Sequence, residues 1–532
     1  MAATLPEGRT FPALLAEQAL RYGAREAVVG SGQRLTYAEL RSEVLRVARG
    51  LLRLGARRGD HIGILMSNRP EWIVSFLAIH QVGGVVVALN TWATPRELEY
   101  ALHHADVRIM LAIEGIRSHD YRHTLAEVRP RLPLLRHVVW LEPSRPVDDP
   151  DYQWNDWNAL AQGASQADAE RRGTEVQGED IAFLLYSSGS TAAPKGILLR
   201  QQASIENGWN IGERQHTTEN DRIWLVVSLF WSFGSVNATA NVLTHGGCLC
   251  LQEKFDAAEA LAIIEQERCT LFYGTPNMAY ALQDHPDRPR RDLSSLRSGA
   301  TIGTPEQLRR IMDLGVHQIC NVYGLTETYG NCAVTDVDDA LDLRLHSVGM
   351  PLPGVQVRIC DPETGEPRAA GEIGEIRIKG YLFAGYYKNE AKTREAFDDE
   401  GYLRSGDLGL LDASGRLYYR GRITEMIKSG GINIAPIEVE ETLMRHPDVH
   451  TAYVVGVPDP VVDQVLAAVV VTQGGATPSV ADLAALCRRD LAAYKVPSLY
   501  RFVRQEDLPL TTTGKVQKLK LPLLFVDEAP GA

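Results

Sequence analysis

Chemistry in this chain gathers first at Tyr186-Ser187-Ser188-Gly189-Ser190-Thr191-Ala192-Ala193-Pro194-Lys195-Gly196. Glycines and other small residues let a backbone approach a ligand closely, and the N–H and O–H donors of Ser187, Ser188, Gly189, Ser190 and Thr191 suit phosphate oxygens. Lys195 adds a point charge and Pro194 stiffens the loop. A flexible Ser/Gly loop is the plainer reading of such clusters. The buried strand that enters this one, Ile181 to Leu185, favours phosphate. The order of residues is not that of a Walker A loop.

Four more stretches carry usable groups. In Asn321-Val322-Tyr323-Gly324-Leu325-Thr326-Glu327 an aromatic ring can stack on a base, an amide can read its edge, and a carboxylate can hold Mg²⁺ against phosphates. The same residues also read as a tight turn with a capping threonine. In Tyr402-Leu403-Arg404-Ser405-Gly406-Asp407 the aspartate can accept two vicinal hydroxyls or merely cap its turn. Gly421-Arg422-Ile423-Thr424, running on to Lys428-Ser429-Gly430-Gly431, makes poor helix and poor strand, which suits a mobile connection or an ordinary surface loop. Pro509-Leu510-Thr511-Thr512-Thr513-Gly514-Lys515 puts a lysine on a glycine turn. A sixth stretch, Ser228 to Asn237, together with Thr301 and Tyr329, is apolar with a few polar groups. It suits a pocket for an aromatic, alicyclic or medium-chain acid better than one for acetate, although Trp231 also reads as core.

In their order along the chain these motifs resemble the signatures of the adenylate-forming enzymes, a superfamily of acyl-CoA synthetases, luciferases and peptide-synthetase adenylation domains. The resemblance covers nearly the whole chain, and it implies an AMP-forming acid–thiol ligase. It assigns the 187–195 loop to the phosphates of ATP, with Thr191 catalytic, and Gly299, Ala300, Asn321, Tyr323 and Gly324 to the adenine side. It assigns Thr326 to phosphate, Glu327 to catalytic Mg²⁺, Asp407 and Arg422 to ribose, and Lys515 to a bridge between carboxylate and α-phosphate. Trp231, Phe233, Asn237, Thr301 and Tyr329 line the acyl pocket. Lys428, Ser429, Gly430 and Gly431 form the coenzyme A side, Lys428 acting in catalysis. Thr424 is the hinge, where the family usually has Asp or Lys. Ala192, Trp231 and Ser405 also depart from the family pattern, which has Gly, His and Thr there. ATP, Mg²⁺, coenzyme A and a small carboxylic acid are the implied cofactor and substrates. The alternatives are a ligase that loads a carrier protein, a luciferase-like oxidase, and an inactive nucleotide or acyl sensor. Arg288, Arg290 and Arg291 read as a solvated basic turn, with the 3′-phosphate of coenzyme A as the other possibility.

Positioning these groups requires an α/β frame. Residues 10–55 read as mostly helical, and from His61 strands and helices alternate, Asn68 standing as cap of the helix that follows it. Residues 143–178 read as a polar loop. After the phosphate loop come a helix (201–212), a strand (223–228), an apolar helix (234–244) and further βα units. Alternation of this kind predicts parallel sheets in two βαβ-type lobes. From Gly349 short strands predict a small β-rich subdomain, and beyond Arg422 the pattern is α+β. The expected domains are 1–421, for adenylation, and a mobile 425–532.

With 532 residues and a net charge of −12, the chain is not a nucleic-acid binder by electrostatics. Its seven scattered cysteines contain no C-x-x-C pair, so neither a disulfide framework nor a zinc site is expected. No transmembrane or targeting segment is read, and a cytoplasmic protein is expected. Oligomeric state is not legible, and a homodimer stays open.

Overall fold

Short aliphatic runs such as Val85–Ala88 and Ile109–Ile113 bury every residue. Only the interior of a sheet covered on both faces accommodates them. A computed structural model of the chain describes residues 4–116, 119–141, 153–157, 164–187, 194–429, 432–459, 462–472, 478–510 and 516–528. It places these runs in two large sheets.

The first sheet has eight strands, in the order Gly385–Tyr386, Lys195–Arg200, Ile181–Ser187, Val85–Ala88, His61–Leu65, Ile109–Ile113, His137–Leu141 and Gln153–Asp156. From Ile181–Ser187 onward neighbours are parallel, while Lys195–Arg200 and Gly385–Tyr386 are antiparallel additions at one edge. The second has nine, in the order Met350–Pro351, Ala333–Val334, Gln318–Tyr323, Ser298–Thr301, Leu271–Tyr273, Arg222–Leu225, Cys248–Leu251, Glu26–Gly30 and Gln33–Thr36. Its middle is parallel and both edges turn antiparallel. Helix Pro70–Gln81 is buried at all twelve residues and packs on strands of both sheets. That is the position a predominantly apolar helix must take.

An antiparallel four-stranded sheet follows, made of Gln356–Cys360, Gly374–Lys379, Leu403–Leu411 and Leu417–Arg422. The C-terminal part is a small α+β unit. Strands Ile427–Ser429, Ile432–Ile434, Val449–Asp459, Asp463–Thr472 and Leu499–Val503 carry helices Pro436–Met444 and Val480–Asp490. It has apolar clusters of its own, around Val439, Leu443 and Val470, and around Val469, Leu521 and Phe525. The fold is thus the expected mixed α/β architecture, a large N-terminal domain followed by a small C-terminal one.

Local expectations fail where a short element carries little apolar signal. Residues 10–55 are mostly helical, as expected, in helices Phe11–Tyr22 and Tyr37–Arg53, but the hairpin Glu26–Gly30/Gln33–Thr36 between them carried no signal. Its turn has Ser31 at φ 47° and Gly32 at φ 74°, the left-handed pair that matches strand twist in a two-residue hairpin. The 143–178 region is not wholly loop. It holds strand Gln153–Asp156 and a polar helix Gln166–Glu175, which is capped by Ser165 and buries only Ala169 and Gly173. Asn68 is not the cap of Pro70–Gln81, since Arg69 occupies that position without a side-chain bond. Asn68 instead ties the lobes together, its Nδ2 donating to Val227 O at 2.9 Å and its Oδ1 accepting from Leu229 N at 3.0 Å. The expected 234–244 helix begins as a π-helical turn, Phe233–Ala238, and becomes α only over Thr239–His245. All seven cysteines are buried and free. Among the described residues no helix is long and apolar enough to cross a membrane.

Candidate active site

In an open parallel sheet, loops at the carboxyl ends of the strands meet at one edge, where ligands bind. Strands Leu271–Tyr273, Ser298–Thr301 and Gln318–Tyr323 end together there, with Tyr273 opposite Ala300 and Thr301 opposite Asn321. Gly299 allows this close approach. It sits at φ 144°, and a Cβ would stand 2.0 Å from Phe272 O. Gly324 is enforced in the same way, a Cβ meeting Asn331 Cα at 2.4 Å. Ala300 and Thr301 are buried, the Thr301 hydroxyl donating to Gly274 O. Asn321 turns its amide into the protein, where Nδ2 donates to Ser347 O at 3.1 Å and Oδ1 accepts from Gly303 N at 3.4 Å. That pins the 302–304 loop.

Tyr323 donates its hydroxyl to Asp407 Oδ2 at 2.8 Å and lies against the ring of Tyr419 at 5.6 Å. Asp407 comes from strand Leu403–Leu411, which bends at Gly406 (φ 71°). Across the four-stranded sheet Asp407 faces Arg422, whose Nε approaches Oδ1 at 3.3 Å. That contact is an ion pair without hydrogen-bond alignment, so the buried Oδ1 has no hydrogen-bond partner. With only 2% of the residue exposed, burial pushes the carboxyl up to about 6, against the opposing pull of Arg422 and Tyr323. A buried carboxylate oxygen without a donor, beside a guanidinium and two aromatic rings, fits a ligand hydroxyl.

A second group forms around Tyr386, which the sequence reading passed over. Its hydroxyl donates to Glu327 Oε1 at 2.9 Å, and the Lys195 ammonium lies 5.0 Å from its ring centroid. Glu327 stands in the turn Thr326–Thr328, and the Thr326 hydroxyl is 3.5 Å from that of Ser232. The Glu327 carboxylate is half-buried, and among the described residues Oε2 has no protein partner. An oxygen ligand so presented fits a hard divalent cation.

The π-helical turn forms a third wall. Phe233 stacks on Tyr273 at 5.2 Å, and Trp231 meets Trp92 edge-on at 5.5 Å and Phe230 at 5.3 Å. Trp92 joins this cluster from a distant loop that carried no sequence signal. Asn237 is fully buried, its Oδ1 accepting from the Tyr273 hydroxyl at 3.3 Å while Nδ2 has no partner. The Tyr273 hydroxyl also accepts from Gln215 and Asn241. Tyr329, at φ 61°, is fully enclosed, its hydroxyl accepting from Arg200 N at 3.0 Å.

Ser187 closes the strand that feeds the loop, opposite Lys195. Ser188, Gly189, Ser190, Thr191, Ala192, Gly430, Gly431 and Lys515 lie outside the described residues. Thr424 is exposed in the turn Ile423–Glu425, directly after Arg422. Lys428 is exposed in strand Ile427–Ser429, and Ser429 pairs with Asp463. Arg288–Arg290 precedes strand Ser298–Thr301, and Arg291 is bound to Glu265 at 2.8 Å. This turn sits at the opposite, amino-terminal edge of the sheet, as a solvated basic turn would.

Comparison with known proteins agrees with this geometry. The AMP-binding enzyme family matches residues 15–387, and the AMP-binding enzyme C-terminal domain matches residues 438–515. An acyl-CoA ligase of Aspergillus fumigatus, sidI, is 34% identical, covering 96% of this chain and 90% of its own. The mitochondrial medium-chain acyl-CoA ligase ACSF2 of Danio rerio is 32% identical, covering 94% and 86%. Among solved structures, the anthranilate CoA ligase AuaEII with anthranoyl-AMP superposes with a TM-score of 0.86 at 27% identity, covering 98% of each chain. With a family match across both parts and relatives aligned nearly end to end, the chain belongs to the AMP-binding, adenylate-forming enzyme family.

Proposed function

We propose that the chain is an acyl-CoA ligase that activates a carboxylic acid with ATP and passes the acyl group to coenzyme A. The observation that carries this reading is the buried Asp407 carboxylate, whose Oδ1 lacks a hydrogen-bond donor beside Tyr323 and Arg422. A ribose hydroxyl supplies that donor, and an adenine ring suits the aromatic surroundings of Tyr323. Gly299, Ala300, Asn321 and Gly324 shape the adenine side, and Arg422 adds charge beside the ribose.

A free carboxylate is a poor acyl donor because its leaving group would be oxide. In the first step its oxygen attacks the α-phosphorus of ATP, the bond to pyrophosphate breaks, and an acyl-adenylate forms. Two anions must meet, so the protein acts by positioning and charge neutralisation. Ser187, Ser188, Gly189, Ser190, Thr191 and Lys195 hold phosphate oxygens, Thr326 adds a donor, and Lys515 bridges carboxylate and α-phosphate. Glu327 would hold Mg²⁺, which would supply further charge neutralisation. In the second step the thiol of coenzyme A attacks the acyl carbon and AMP leaves. Lys515 withdraws, and the segment with Lys428, Ser429, Gly430 and Gly431 enters as the C-terminal domain, 425–532, turns about Thr424 against domain 1–421. No protein nucleophile takes part.

The acyl group lies among Trp231, Phe233, Asn237, Thr301 and Tyr329. The aromatic walls support an apolar acid, aromatic, alicyclic or medium-chain, in keeping with the substrates named for ACSF2 and AuaEII. The relatives named as CoA ligases support coenzyme A over a carrier protein as acceptor. ATP–pyrophosphate exchange with a panel of acids tests the first step, and thioester analysis with coenzyme A alone tests the second. No acid-dependent exchange across the panel would refute the proposal.

A further inference from the structure

The five-residue segment Phe383 to Tyr387 stitches together two parts of the site that are far apart in sequence. Phe383 N donates to the carbonyl of Glu327 at 2.8 Å, Ala384 N to that of Leu198 at 2.7 Å, and Tyr387 N to that of Gly196 at 2.8 Å. Strand Gly385–Tyr386 pairs with Lys195–Arg200, Tyr386 lying opposite Ile197. The register brings the Tyr386 ring under the Lys195 ammonium, at 5.0 Å, and its hydroxyl to Glu327 Oε1, at 2.9 Å. Phe383 braces the ring edge-on at 4.8 Å, and the Thr393 hydroxyl accepts from Tyr386 N at 2.8 Å.

We infer that Tyr386 is a positioning residue that orients the Glu327 carboxylate for a divalent cation and holds the Lys195 ammonium beside the same phosphates. The inference rests on the ATP-dependent reading above. A lone carboxylate rotates about its terminal bond, and a donor on Oε1 fixes that rotation so that Oε2 is presented in one direction. Partners behind a metal ligand act in this way and tune its affinity. The ring separately attracts Lys195 through its face. One side chain therefore sets the spacing between the cationic and the metal-binding parts of the phosphate site.

The two contacts come apart in two variants of the full-length protein. Tyr386→Phe keeps the ring and removes the hydroxyl, whereas Tyr386→Leu removes both. ATP binding is measured by calorimetry with and without Mg²⁺, with no acid present. Tyr386→Phe is expected to cut the Mg²⁺-dependent tightening of ATP binding about tenfold or more, with Mg²⁺-free binding and Tm unchanged. Tyr386→Leu is expected to weaken Mg²⁺-free binding as well, by about two- to fivefold. Glu327→Gln should match Tyr386→Phe in losing the Mg²⁺ effect. An undiminished Mg²⁺ effect in Tyr386→Phe overturns the inference. So does a fall in Tm with parallel losses with and without Mg²⁺, which marks a merely structural residue. Because the measurement needs no acid, a wild type that binds MgATP but exchanges no pyrophosphate refutes the ligase reading and leaves the role of Tyr386 standing.

Discussion

At Asp407 three forces meet in one carboxylate: burial raises its pKa, and Arg422 and Tyr323 pull it back only to about 6. The carboxylate must be ionised to accept ribose hydroxyls, so MgATP affinity should fall about tenfold per pH unit below pH 6. Asp407→Asn should bind weakly with no such dependence, as a calorimetric pH series would show. The stability sign is the reverse. A carboxyl raised in the folded state favours folding below its unfolded value, near 4, and loses that contribution as pH rises through about 6. Ligand-free Asp407→Asn should therefore melt higher than the wild type at pH 7.5 and show no gain at pH 4. Lys515→Ala should slow ATP–pyrophosphate exchange by roughly 10²–10³, on the scale of one lost transition-state donor. Asp407, Tyr323 and Glu327 stood out in sequence through the resemblance of their motifs to the family's signatures, since the residues alone read equally well as turns. Tyr386 did not, because its partner Glu327 is 59 residues away and only strand register joins them.

Among the elements, the turn Phe233–Ala238 shows what periodicity misses. Its apolar residues announced a helix, but the π-helical winding that turns Phe233 onto Tyr273 and seals in Asn237 depends on the neighbouring strand. Tyr273 holds that junction together by accepting from Gln215 at 2.7 Å and Asn241 at 3.1 Å while donating to Asn237. Tyr273→Phe takes the only partner among the described residues from Gln215 Nε2 and Asn237 Oδ1, while Asn241 Nδ2 keeps Gln215 Oε1 at 3.1 Å, and should cost about 1–3 kcal/mol, read as a lower urea midpoint. The long inner strands were legible because nothing but a covered sheet buries such runs. Helix Gln166–Glu175 was not, since a polar helix with two small buried residues has the composition of a loop. In the C-terminal unit, Lys518 bridges Glu440 at 2.9 Å and Glu425 at 3.2 Å, beside the proposed hinge. Lys518→Met leaves the buried Glu440 unpaired and should destabilise that unit by about 3 kcal/mol, seen as faster amide exchange there than in the large domain.

For the whole molecule, the proposed function, with two half-reactions at one site, calls for a C-terminal domain that takes two positions. Proline locks φ, so Thr424→Pro should leave pyrophosphate exchange largely intact and abolish thioester formation from added acyl-adenylate. Equal loss of both steps would place the swivel elsewhere. Two domains and two lobes were legible from the alternation of strands and helices, but the exchange of strands between lobes was not. The hairpin Glu26–Gly30/Gln33–Thr36 belongs to the sheet otherwise built from residues 222–351, and Gly385–Tyr386 completes the sheet built from 61–200. Each lobe therefore waits for a strand from the far side of the other. As the chain leaves the ribosome, its first strand has only its hairpin partner Gln33–Thr36, with the other edge open until Cys248–Leu251 has been made, and the Lys195–Arg200 edge stays open until residue 386. Synthesis must pass through long intermediates with unpaired edges, the kind that chaperones hold. The same weave means that no early fragment is a small version of the enzyme, so the large domain is made whole or not at all.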